Sequence, residues 1–165
     1  MEPQKELLFT ILGAQEKILN KDLSETRVML TKFCANIEHS VDRLEAQLVF
    51  DVLHGWGDGG FEKYYSHIIF QYKVGGNIAI FLKDPKDPSV IWVDAYSPKF
   101  LIKYNTMKML FLYCALCGAK EVRSTYRESK IKNYLTRCGM GDLGNNTVGV
   151  KVDCNLHVRI PEKKG

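Results

Sequence analysis

The stretch from Val90 to Met140 constrains this chain most. It reads as a strand (VIWVDAYSP), an apolar helix (NTMKMLFLYCALCGAK), a second strand (EVRSTY) and a short amphipathic helix that closes on Cys-Gly-Met (SKIKNYLTRCGM). Such a run places the chain in the α/β class, in its α+β form. The preceding segment keeps a strand period. HIIFQYKV, a turn at Gly75-Gly76-Asn77, IAIFLK, a turn from Asp84 to Pro88 and then VIWVDAY predict an antiparallel meander. Ile78, Ile80 and Leu82 alternate with Ala79, Phe81 and Lys83, so both faces are largely apolar and helices are expected on both. After the second helix, Gly144-Asn145-Asn146 turns into a last β region, TVGVKVDCNLHVRI, with a frayed tail PEKKG.

The first third reads as an N-terminal helical pair. Residues 4–20 set Leu7, Leu8, Ile11, Leu12 and Ile18 near one face. Ser24 or Asp22 caps a second, longer helix in which Phe33, Ile37, Val41, Leu44, Leu48 and Val52 draw one apolar stripe. It ends at HGWGDGGF (His54 to Phe61), a glycine-rich loop without the lysine and serine or threonine of a phosphate-binding loop.

A chain of 165 residues, 45% hydrophobic and 25% charged, fits one folded domain, with a helical part over 1–53 and a sheet with its helices over 65–160. The net charge of +4 is too small to imply nucleic acid by itself. The first residues lack a basic leader and their apolar run is broken by Thr10, so neither signal peptide nor membrane span is expected, and the cytoplasm is the expected compartment. Five cysteines, an odd number in irregular spacing, read as reduced thiols.

The order of meander, helix, strand, helix and closing strands from about Tyr65 to Ile160 resembles the GNAT acetyltransferase superfamily. It is closest to the small GNAT-like proteins of tailed bacteriophages. EVRSTYRESKIKNYLTRCGM looks like the family's fifth strand and fourth helix, with its terminal signature of a large residue, three residues, glycine and an apolar residue at Leu135 to Met140. The resemblance implies a GNAT-like mixed sheet with an antiparallel meander flanked by helices. It also implies an acetyl-CoA site where the fourth strand meets the third helix, in a glycine-containing loop whose amides take the pyrophosphate. Here that loop is SPKFLIKYNTM, with no glycine between Ser97 and Met107. Lys99, Lys103, Asn105 and Thr106 are its candidate cofactor contacts.

The family's acid is often a tyrosine four residues before the closing glycine, a position held here by Leu135, with Tyr134 one residue away. Asp94 stands where the family often puts a carboxylate that relays the amine proton. The resulting expectation is a noncatalytic GNAT-like phage protein without a cofactor, acting through protein contacts as a virion or assembly component or as a binder of a host factor. It would reside in the host cytoplasm or be incorporated in the virion. The alternative is an acetyl-CoA-dependent N-acyltransferase using Asp94 and Tyr134. A third reading, a small basic nucleic-acid-binding protein, rests on Lys120, Arg123, Arg127, Lys130, Lys132 and Arg137; of these, Arg123, Arg127, Lys130, Lys132 and Arg137 are also candidate partner contacts, together with the stripe-bearing helix over residues 24–53. Cys114, Cys117, Cys154 and His157 have zinc-like spacing, but an apolar helix and an extended strand would not converge their side chains, so no metal is expected.

Overall fold

The computed structural model describes residues 3–54, 60–98 and 101–152. Within them the elements run α1 (Pro3–Leu19), α2 (Ser24–Ala35), β1 (Ile37–Glu38), α3 (Arg43–His54), α4 (Gly60–Ser66), β2 (Ile68–Val74), β3 (Asn77–Lys83), β4 (Val90–Tyr96), α5 (Tyr104–Leu116), β5 (Glu121–Thr125), α6 (Ser129–Arg137), β6 (Gly141–Gly144) and β7 (Thr147–Lys151). All seven strands join one mixed sheet in the order β1-β2-β3-β4-β5-β7-β6. Only β4 and β5 are parallel; every other pair is antiparallel.

Strand alternation sorts the side chains into two unequal cores. Phe70, Tyr72, Ala79, Phe81, Ile91, Val93, Val122 and Val148 face one side, where α1, α2, α5 and α6 pack on them. Phe70 and Phe81 stack at 4.4 Å, and the fully buried Tyr113 of α5 meets Phe70 edge-on at 5.0 Å. Ile78, Ile80 and Leu82 face the other side, under Ala46, Val49 and Phe50 of α3 and Phe61 of α4. The expected cover on both faces is present, with four helices against two.

α5 and α6 end alike, and their ends explain the Cys-Gly-Met signature. Each stops at a glycine with positive φ, Gly118 at 99° and Gly139 at 105°. The next amide reaches back, Ala119 to the Cys114 carbonyl at 3.0 Å and Met140 to the Leu135 carbonyl at 3.1 Å. This arrangement satisfies carbonyls that the helix end would leave without partners. In α6 it also buries Leu135 against the core together with Met140.

The long second helix is not one helix. The chain leaves α2 after Ala35, pairs Ile37 and Glu38 with β2, and restarts at α3. Asp42 drives the restart, its Oδ1 accepting from the amides of Leu44 at 2.8 Å and Glu45 at 3.1 Å, with an acidic residue three positions on. Phe33 and Ile37 are buried, but Leu44, Leu48 and Val52 point outward while Ala46, Val49 and Phe50 turn to the sheet. The last β region begins earlier than expected, as a β6–β7 hairpin turning through Asn145 (φ 52°) and Asn146 (φ 55°), and α4 is an additional short helix. Residues 153–165 and 55–59, which include Cys154, His157 and most of the glycine-rich loop, lie outside the described residues, as does Lys99.

Candidate functional site

β4 and β5 run side by side only from Val90↔Glu121 to Trp92↔Arg123, although β4 continues to Tyr96 and β5 to Thr125. Beyond Trp92 the strands part. The buried Ser124 bridges the start of the gap, its hydroxyl donating to the Val93 carbonyl at 3.0 Å in place of a ladder bond. On the α5 side, Tyr134 of α6 is buried and its hydroxyl donates to the Ile102 carbonyl at 2.5 Å. Burial pushes the Tyr134 phenol well above its usual range, with Cys138 and Tyr104 adding to the effect. Burial likewise pushes the Cys138 thiol up to about 11. A cavity of about 230 Å³ lies here, lined by Leu101, Ile102, Lys103, Tyr104 and Tyr134. That is smaller than pockets that enclose drug-sized ligands, roughly 300–1,000 Å³.

The candidate cofactor contacts therefore separate. Lys103 lines the same cavity as Tyr134, while Asn105 and Thr106 fall in the first turn of α5, whose start carries no side-chain cap. Leu101, Ile102 and Tyr104 line that cavity beside Lys103.

Asp94 stands on the other side of the sheet from Tyr134. It pairs across the ladder with Ile80, and its carboxylate is held from two helices. Nε2 of His54, the last residue of α3, lies 2.7 Å from Asp94 Oδ2, and the Tyr64 hydroxyl of α4 donates to the same oxygen at 2.9 Å. Asp94 is 13% exposed and His54 39%, so the carboxylate backs an imidazole that faces solvent. The Asp94 hydrogen bond raises the His54 pKa; burial and the nearby Arg127 charge oppose it. Burial, reinforced by Asp94, pushes the Tyr64 phenol far above its usual range, so it remains a proton donor. Phe50 and Tyr64 wall the imidazole at ring distances of 5.5 and 5.4 Å, and Arg127, between β5 and α6, donates to the Leu53 carbonyl. This triad joins residues from positions 54, 64 and 94. No local spacing announces it.

The basic segment is largely paired within the fold. Arg123 bonds Glu121 at 2.5 Å and lies over the Trp92 ring, Lys132 bonds Asp142 at 3.0 Å, and Arg137 reaches the Tyr104 hydroxyl at 3.3 Å. Lys130 is exposed on α6. Cys114 is fully buried in α5 with its thiol pKa raised by burial, and no group of three metal-binding side chains occurs among the described residues. No described helix is long and apolar enough to cross a membrane. A different surface stands out on α3. Leu44, Leu48 and Val52, spaced by four, are 81%, 43% and 48% exposed and form a continuous apolar stripe.

No protein-family profile matches this chain, and no curated protein matches it at a significant level.

Proposed function

We propose that this chain is a GNAT-like scaffold of the kind found in tailed bacteriophages, working through protein contacts as a virion or assembly component or as a binder of a host factor. The run from β2 to β7 follows the element order that the resemblance implies, including a helix closed by the Leu135–Met140 signature. One observation carries the step from transferase to scaffold. Tyr134, next to the expected acid position, has its hydroxyl buried against the Ile102 carbonyl, beside a small cavity lined by bulky side chains. A phenol so engaged is a structural donor, and its proton is not offered to a departing thiolate. The exposed α3 stripe is the surface that best fits a protein partner, because the opposite face of the same helix already supplies the packing. Paired arginines and lysines in the 120–137 segment make a phosphate-backbone grip the weaker reading.

A second reading, the acetyl-CoA-dependent N-acyltransferase, draws on a separate observation. Asp94 retains a hydrogen-bonded histidine that faces solvent near the place where β4 and β5 part. Calorimetric titration with acetyl-CoA separates the two readings. The scaffold predicts no saturable heat up to millimolar ligand, whereas saturation in the micromolar range would favour the acyltransferase, with Asp94 as its proton relay and His54 beside it.

A further inference from the structure

The cluster at the end of α3 has a construction that packing alone does not require. His54 is the last described residue of α3, and its Nε2 lies 2.7 Å from a carboxylate oxygen. Tyr64 fixes that carboxylate from α4 and stays protonated across the neutral range, while an imidazole ordinarily titrates near neutrality and the Asp94 hydrogen bond raises that of His54. Among the described residues, the charged and titratable groups facing it are Asp94 from β4, Tyr64 from α4 and Arg127 from the β5–α6 connection. On α3 itself, the Asp51 carboxylate accepts from Gln47 at 2.8 Å. Arg127 holds the Leu53 carbonyl, one residue away, and its charge opposes a proton on His54. Arg127 and His54 thus act on the same end of α3, Arg127 through the Leu53 carbonyl and His54 through the Asp94 carboxylate.

We propose that His54, Asp94 and Tyr64 form a proton-operated latch on the last turn of α3, which holds the Val52 end of the exposed stripe firmly when His54 is charged and loosens it when His54 is neutral. This regulatory role rests on the reading of the α3 stripe as a contact surface, because Val52 lies two residues from the latch. Loss of the proton removes the ion pair and leaves His54 a neutral hydrogen bond to Asp94 beside that of Tyr64, while Arg127 continues to tether Leu53. The helix end therefore loosens without detaching. By linkage, the closing equilibrium differs between charged and neutral His54 by about tenfold for each unit that separates the closed-state and open-state pKa of His54.

The test is nuclear magnetic resonance on the isolated full chain, from about pH 5 to about pH 8. It follows the His54 ring proton, the Val52 methyls and hydrogen exchange in the last turn of α3. The proposal expects Val52 methyl mobility and last-turn exchange, after correction for the intrinsic pH effect, to rise with the midpoint of the His54 titration. Asp94→Asn should move that midpoint down and Arg127→Gln should move it up, with Val52 following both. A Val52 signal indifferent to pH, or a midpoint unmoved by either substitution, would overturn it. If Asp94→Asn does not fold, the upward move in Arg127→Gln decides alone. No partner is needed for the measurement, so its failure leaves the contact reading standing; acetyl-CoA binding would overturn the contact reading and with it the regulatory role, but not a coupling of Val52 to the His54 titration.

Discussion

The two sides of β4 carry the two residues that chemistry would single out, and they differ in what their polar atoms face. On the α5 and α6 side, Tyr134 is buried in the larger core and bonded to a main-chain carbonyl. On the α3 and α4 side, Asp94 is held by Tyr64 but also by His54, an imidazole that reaches solvent. A polar group enclosed with its partner contributes to stability and specificity of packing; one that ends on an exposed titratable group can respond to the medium. The cores differ in cover: four helices pack on one face and two on the other, and each set leaves apolar side chains in solvent, Leu7, Ile18, Leu19 and Val28 on α1 and α2 and Leu44, Leu48 and Val52 on α3.

Substitutions on the four-helix side should weigh most. Phe81→Ala removes a fully buried ring stacked on Phe70 and should cost about 3–5 kcal/mol in denaturant unfolding. A loss below about 1 kcal/mol would mean that this face is not the main core. Tyr134→Phe keeps the ring but leaves the Ile102 carbonyl without its donor, with an expected loss of about 1–3 kcal/mol. A neutral result would place that hydroxyl in contact with water, and the closed side would no longer be closed.

The open side should respond to pH more than to truncation. Because the folded-state pKa of His54 is raised above 6.5, its contribution to stability is complete below about pH 6.5 and is lost as pH rises through the folded value. With an imidazole more than a third exposed, solvent screening keeps that contribution to no more than about 1 kcal/mol. Asp94→Asn should flatten this part of the stability profile, and an unchanged profile would remove Asp94 as the cause. Smallest of all, Leu44→Lys should change stability by less than about 0.5 kcal/mol, because Leu44 is 81% exposed. A large loss would mean that the stripe packs within the fold.

What could be read in advance follows from which interactions are local. The meander, its turns and the helix closed by Cys-Gly-Met were legible because alternation and a left-handed glycine are written into neighbouring residues. The break between α2 and α3 was also written locally, in Asp42 followed by Glu45, but the regular spacing from Phe33 to Val52 masked it. Periodicity identified the apolar positions on α3 and mistook which of them were buried. Asp94 could be picked out by its place on the fourth strand. His54 and Tyr64 could not, because their meeting depends on the packing of α3 and α4 over the sheet, across separations of 40 and 30 residues. The gap between β4 and β5 was hidden for the same reason: it depends on where a parallel ladder stops, and no residue type marks that point.

The most direct test of the scaffold reading is a nuclear magnetic resonance titration of the full chain with acetyl-CoA to millimolar concentration, following the amides of Val93, Ser124 and Tyr134. The account predicts that these signals stay in place, because the hydroxyl of Ser124 and that of Tyr134 are already bonded within the fold. Saturable shifts at these three residues would contradict it and make the gap a cofactor site.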